Sequence, residues 1–213
     1  MTERQKIIFS AIPKADVFAD VGCDHGYIAK SMIVNNKCNK VIVSDVSAKC
    51  LSKAENLLKE EIALGKCLAF VTDGLKGLPI ADTVLIAGMG GQEIISILSS
   101  APYKPKNLVL QPMKNTPLCR KFVVNNGYKI VKDYVFFSSG VFYDLLILEQ
   151  GSDSLTDQEI EFGRTNLIDK PNDFKKKLKW EIDKIEGYIG SGKLSIKDQE
   201  IMKSKLEKLN SYV

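Results

Sequence analysis

The chain has 213 residues, 45% of them hydrophobic and 26% charged, with a net charge of +4 at pH 7. That length buries one good core and carries a smaller appendage. Every apolar run is strand-sized, which excludes a membrane-spanning helix, and the charged, mixed start MTERQKIIFSAIPK does not read as a signal peptide.

Residues 3–11 read as a helix closed by Pro13, and 16–21 as a short apolar strand. Gly22 and Gly26 then allow a tight turn and a close approach of backbone to ligand, and YIAKSMIV carries helical periodicity to about Asn35. KVIVSDV (40–46) is a second buried strand ending on Asp45. AKCLSKAENLLKEEIAL follows as one helix stopped by Gly65. CLAFVTDGL is a third strand ending on Asp73 and Gly74. ADTVLIAGMGG is a fourth, running into the helix QEIISILSS. KNLVLQPM (106–113) is a fifth strand, and TPLCRKFVVNNGY a helix with Pro117 in its first turn and Gly127 past its end. Alternating strands and helices predict an α/β fold with a mostly parallel sheet covered on both faces.

The pattern changes after residue 127. YKIVKDYVFF-SSG-VFYDLLILE reads as two strands joined by a short turn, an antiparallel hairpin closing the sheet. That is not the plan of a dinucleotide dehydrogenase; it resembles the Rossmann-like class I methyltransferase plan. A boundary falls at QGSDS, dividing 1–150 from 151–213. Thr156 and Glu159 form a capping box opening a helix that Pro171 ends. A second helix carries Leu178, Ile182, Ile185 and Ile189, GSG (190–192) reverses the chain, and a third carries Met202, Leu206, Leu209 and Val213. The four-three-four spacing of both stripes predicts an antiparallel, coiled-coil-like helical hairpin.

Charge is uneven. The segment 151–213 holds twelve basic and twelve acidic residues, so the whole excess lies in the first 150. From 101 to 132 there are seven basic residues (Lys104, Lys106, Lys114, Arg120, Lys121, Lys129, Lys132) and no acidic one, a stretch that suits a polyanion and equally an ordinary solvated surface. KKKLK (175–179) is a second local patch. Five cysteines, odd in number and never spaced C-x-x-C, argue against disulfides or a zinc site and fit a reducing, cytoplasmic setting. His25 is the single histidine, so no multi-histidine metal site exists and no metal is expected.

The strand ends carry the chemistry, because ligands of such sheets bind across them. Asp20 and Gly22 close the first strand, Asp45 the second, Asp73 the third, and Ala87-Gly88-Met89-Gly90-Gly91 the fourth. A carboxylate at the second end can accept both hydroxyls of a ribose, and one at the third can accept from an adenine amino group. The turn D-x-G-x-D, with Asp20 and Asp24, repels a diphosphate and suits a cationic ligand such as S-adenosylmethionine.

Together, ADVGCDHGYIAK, DGL at 73–75, VLIAGMGGQEII and LVLQPM resemble the bacterial tRNA adenine-22 N1-methyltransferases, over the whole chain. Cys23 and Gly26 stand where that family usually has Ser and often Ala, and Asp45 where it often has Glu. The resemblance implies methyl transfer from S-adenosylmethionine to N1 of adenine 22 in a tRNA D-arm. The cofactor would be held by Asp20, Gly22, Asp24, His25, Gly26, Asp45, Val46, Asp73, Gly74, Ala87, Gly88, Met89 and Gly90. Gln111, Pro112 and Tyr27 would border the target base, the Gln111 oxygen facing its N6 amino group. The basic 101–132 segment and the C-terminal helices would grip the tRNA, and a monomer is favoured. A methyltransferase of another substrate, or a tRNA-binding module with a non-catalytic pocket, remains the alternative.

Overall fold

The computed structural model describes residues 1–191 and 194–212. Its centre is a seven-stranded sheet in the order β3-β2-β1-β4-β5-β7-β6. The strands are β1 (Val17–Val21), β2 (Lys40–Asp45), β3 (Cys67–Val71), β4 (Thr83–Met89), β5 (Asn107–Pro112), β6 (Tyr128–Ser138) and β7 (Val141–Gln150). The first five are parallel, and β7 runs antiparallel to both β5 and β6. Continuous apolar runs in β1, β2, β4 and β5 follow from helices covering both faces, since neither face meets water. One apolar core lies on each face: Phe18, Val41, Val43 and Leu85 with α1 (Glu3–Ala11) and α2 (Tyr27–Val34), and Ala19, Ile86, Leu108 and Leu110 with α5 (Gly91–Ser99) and α6 (Thr116–Asn125). Strand order reverses between β1 and β4, which opens a crevice at their carboxyl ends.

Two helices expected to be continuous are divided. The segment after Asp45 forms α3 (Ala48–Leu57) and α4 (Lys59–Ala63), joined at Leu58, which is fully buried. The segment after Thr156 forms α7 (Asp157–Phe162) and α8 (Arg164–Asp169), broken at Gly163 with φ of 88°. A Cβ there would stand 2.6 Å from Asp133 Oδ2 and 2.8 Å from Arg120 Nη2, so packing forbids a side chain as firmly as the dihedral does.

The tail is not a free arm. In α9 (Asn172–Gly190), Phe174, Leu178, Ile182 and Ile185 pack with Val135 of β6 and with Leu209 of α10 (Ile196–Asn210). Ile189, Met202 and Leu206 join that cluster half-buried; Gly192 of the expected reversal and Val213 of the expected stripe lie outside the described residues. The tail also satisfies the outer edge of β6. The N–H groups of Ile130, Asp133, Val135 and Phe137 donate, each at 3.0 Å, to Asp153, Thr165, Asn166 and Asp173. Side chains thus replace the missing neighbour strand on an edge that would otherwise invite another chain.

The basic 101–132 stretch does not form one exposed patch. Arg120 is 1% exposed and belongs to the core. Its Nε donates to Asp133 Oδ2 at 2.8 Å, its Nη2 to Asp144 Oδ1 at 3.3 Å, and its Nη1 to the carbonyls of Ile160 and Glu161. Lys104, Lys106 and Lys129 sit around the amino end of β5, opposite the crevice, and Lys129 pairs with Glu149. Of the seven, Lys114 alone follows β5 at the crevice end. A one-sign run in sequence was scattered because strand and helix carry it from one end of the sheet to the other.

Candidate active site

Above the carboxyl ends of β1, β2 and β4 lies a cavity of about 340 Å³. Of the residues singled out in the sequence, it is lined by Asp20, Gly22, Asp24, Tyr27, Asp45, Val46, Asp73, Gly74, Ala87, Gly88 and Met89. Four strand ends therefore converge on one space. His25, Gly26, Gly90, Gln111 and Pro112 do not line it.

Each lining residue is positioned by local rules. The chain leaves β1 through Gly22 at φ 73°, while the N–H groups of Gly22 and Cys23 donate to the Ser44 carbonyl at 2.8 and 3.0 Å, tying the turn to β2. Asp24 takes a left-handed φ of 48° and Gly26 one of 71°, which aims the start of α2 at the cavity. A Cβ on Gly26 would lie 2.9 Å from that of Ala54, so this glycine serves the packing of α2 on α3. Asp45 Oδ1 accepts from Ser47 N at 2.9 Å and Oδ2 from Asp24 N at 3.3 Å, which fixes the carboxylate while leaving lone pairs toward the cavity. His25 Nδ1 lies 2.7 Å from Asp24 Oδ2, and its ring stacks on Tyr27 with centroids 5.6 Å apart, so histidine braces tyrosine at the mouth.

Asp20 is the unusual group. It is 6% exposed, accepts the N–H of Ala29 in the first turn of α2, and has no cation beside it among the described residues. Burial, with Asp45 adding to it, pushes its carboxyl up to about 7. The same burial pushes the Cys23 thiol upward and keeps it inert.

One charged lining residue lay outside the sequence motifs, and two residues within them take roles that the motifs did not show. Arg4, from α1, lies outside every motif and lines the cavity; Glu93 of VLIAGMGGQEII lines it too. Gln111 is fully buried, and its Oε1 accepts from Arg4 Nε at 2.9 Å while its Nε2 donates to the Pro112 carbonyl at 3.1 Å. In this structure the Gln111 oxygen therefore meets Arg4, where the sequence reading gave it to the target base. The signal for Arg4 was in the sequence only as Gly88, whose missing side chain makes room for the guanidinium. Among the described residues no cluster of three His, Cys, Asp or Glu side chains could hold a metal, and no described helix is long and apolar enough to cross a membrane.

A second cleft, of about 760 Å³, adjoins the first. Met113 and Lys114 line it and tie it by backbone to the end of β4: Met113 N donates to the carbonyl of Met89, which lines the first cavity, at 2.8 Å, and Gly91 N to the Lys114 carbonyl at 3.0 Å. Its walls are the start of α6, the tip of the β6–β7 hairpin, and α9, with Phe137, Phe142 and the 53%-exposed Trp180 facing it. Of the basic stretch only Lys114 and the core residue Arg120 line this cleft, where the helical tail adds Lys177 and Lys205.

The profile of the tRNA (adenine(22)-N(1))-methyltransferase family matches residues 18–211. The chain belongs to this family. A tRNA (adenine(22)-N(1))-methyltransferase from Bacillus subtilis is 26% identical over 156 residues, covering 71% of this chain and 66% of its own length. A Mycoplasma pneumoniae protein, provisionally named a tRNA methyltransferase, is 31% identical over 170 residues, 77% of this chain and 79% of its own. The structure of an M. capricolum family member, solved with S-adenosylhomocysteine, superposes with a TM-score of 0.88 at 23% identity, over 100% of this chain and 97% of that one. The methyltransferase reading fixes the reaction: a methyl group passes from S-adenosylmethionine to N1 of adenine 22 in tRNA.

Proposed function

We propose that the strand-end cavity holds S-adenosylmethionine through Asp20, Asp45 and Asp73 and that the tRNA D-arm approaches across Met113 and Lys114, in the cytoplasm. The observation that carries this reading is Asp20, a buried carboxylate that makes no ion pair among the described residues and faces a cavity shaped by glycines. Such a group is stable in ionised form once a cation joins it, and the ammonium of the cofactor supplies one. Asp45, held by two backbone N–H groups, receives the ribose hydroxyls, and the loop Thr72–Gly74 borders the adenine. The fit is good in charge: five carboxylates (Asp20, Asp24, Asp45, Asp73, Glu93) line the space.

The cofactor, when bound, supplies an activated methyl group on a positively charged sulfur. The chain's part is alignment. Tyr27, stacked on His25, and Met89, paired in register with Pro112, border the place where the base lies. N1 of adenine already carries a lone pair, so holding it in line supplies much of the rate without a general base. Methylation makes the base cationic, and the acidic wall that attracts the cofactor also favours that charge. N1 lies on the pairing edge, so the base must be unpaired or flipped. The second cleft then takes the neighbouring RNA, with Trp180 and Phe142 as stacking surfaces and Lys114 near phosphate.

The test is incubation with labelled S-adenosylmethionine and unmodified tRNA, followed by nucleoside digestion and mapping of the modified position. Label in 1-methyladenosine at position 22 is expected. Label in another nucleoside, or none despite cofactor binding, refutes the reading.

A further inference from the structure

The second cleft has a charged floor under an aromatic rim. On the floor, Asp144 Oδ1 accepts from Arg120 Nη2 at 3.3 Å, and its Oδ2 accepts from Thr116 Oγ1 at 3.2 Å and from Lys177 Nζ at 3.1 Å. Burial alone would raise this carboxyl, but Lys177 and Arg120 outweigh it and hold the group below its ordinary range, so it stays ionised. At the rim, Phe137 and Phe142 pair across the hairpin with centroids 4.8 Å apart, and the Trp180 ring lies 6.3 Å from that of Phe142. Lys184 Nζ stands 4.9 Å from the indole centre, which holds Trp180 in place although it is half-exposed.

The charges of this cleft largely answer one another. Of its four cations, Arg120 pairs with Asp133 and Asp144, Lys177 with Asp144, and Lys205 with Glu181 at 3.7 Å. Lys114 alone makes no ion pair among the described residues. A groove for a phosphate chain needs open cations, so the interior of this one suits an uncharged ligand. What it leaves open is hydrogen bonding. Among the described residues Lys177 uses one of its three donors, and Asp144 Oδ1 keeps an acceptor site; the two side chains are 24% and 15% exposed. Flat apolar walls above a neighbouring donor and acceptor fit a nucleobase and its pairing edge.

We propose that this cleft seats a second base of the tRNA, unstacked near the target adenine, with Trp180 and Phe142 against its faces and Lys177 and Asp144 reading its edge. This deepens the reading of the cleft as an RNA site and rests on it. An adenine flipped from a helix leaves the nucleotide opposite without a partner, so a free base is at hand. Lys177 and Asp144 then determine specificity at a nucleotide that is not itself methylated.

The experiment measures kcat/KM for tRNA transcripts carrying one abasic nucleotide, moved in turn along the D-arm, with the full chain, Trp180→Ala and Lys177→Gln. With the unaltered protein, one position besides the target is expected to cost about 10–100-fold, the worth of a stacked base. With Trp180→Ala the same lesion should cost less than about threefold, since that contact is already gone. A lesion that harms only the fold of the tRNA costs both proteins the same factor. Refilled with each of the four bases, the position should rank them about tenfold apart with the unaltered protein and nearly equally with Lys177→Gln. The proposal is overturned if no such position exists, if its cost is undiminished in Trp180→Ala, or if Lys177→Gln keeps the ranking. Failure of the unaltered protein to methylate a D-arm adenine in the intact transcript refutes the D-arm reading itself, a distinct result.

Discussion

Arg120 and Asp20 are both withdrawn from water, but only Arg120 has its charge answered by the protein. Around Arg120, at the hairpin end, two carboxylates and two carbonyls engage every nitrogen of the guanidinium, and α6, β6, β7 and α7 meet there. Asp20 and Arg4, at the strand ends, line one cavity, and neither makes an ion pair among the described residues. Closed networks of buried charge hold a fold together; open ones wait for a ligand. The two regions separate structural from functional charge more sharply than residue type does.

The comparison can be broken most severely at its closed end. Arg120→Ala leaves Asp133 buried without a cation, and Asp133→Ala leaves Arg120 buried with Asp144 as its one carboxylate, with an expected loss of about 3–5 kcal/mol in urea denaturation. Replacing both with apolar residues of similar volume should recover most of it. A single-variant loss below about 1 kcal/mol contradicts the closed-network reading.

The open end should respond in the opposite sense. The Asp20 carboxyl is raised to about 7 in the folded protein from an ordinary value of 3.8. The folded state therefore binds a proton between those limits that the unfolded chain has released, and stability falls as pH rises through that window. Asp20→Asn has no proton to bind. Its advantage over the unaltered, ligand-free protein should open from near zero at pH 4 to about 4 kcal/mol at pH 8. A difference independent of pH would show Asp20 already satisfied.

Smaller effects sharpen the division between the two clefts. Asp45→Ala should weaken S-adenosylmethionine about 10–100-fold in calorimetry while tRNA affinity holds, since Asp45 contributes charged acceptors to one ligand only. Trp180→Ala should raise the KM for tRNA about tenfold, the worth of one stacked base, with cofactor affinity unchanged. Matching losses for both ligands in either variant would merge the two sites into one.

Sequence pattern carried the sheet well because its determinants are local. The apolar runs before Asp20, Asp45 and Gly88, with Gly22 after the first and the Ser47 helix cap after the second, specify strand ends without reference to distant residues. The division of helices at Leu58 and Gly163 was hidden, since the first depends on burial and the second on Asp133 and Arg120 crowding the glycine. Arg120 looked like a surface cation because its acceptors lie 13 and 24 residues downstream and reach it only when β6 and β7 fold back. Arg4 was invisible for a similar reason. Its helix lies outside every motif, and its partner Gln111 is 107 residues away.

The most direct measurement is the proton balance of cofactor binding, obtained by titrating S-adenosylmethionine at pH 6 in buffers of different ionisation heat. At that pH the ligand's ammonium is already charged and Asp20, at about 7, is mostly protonated. Binding is expected to release about one proton in the unaltered protein and none in Asp20→Asn. Binding without proton release, or equal release from both proteins, would contradict the claim that an unanswered buried charge is what this site keeps for its ligand.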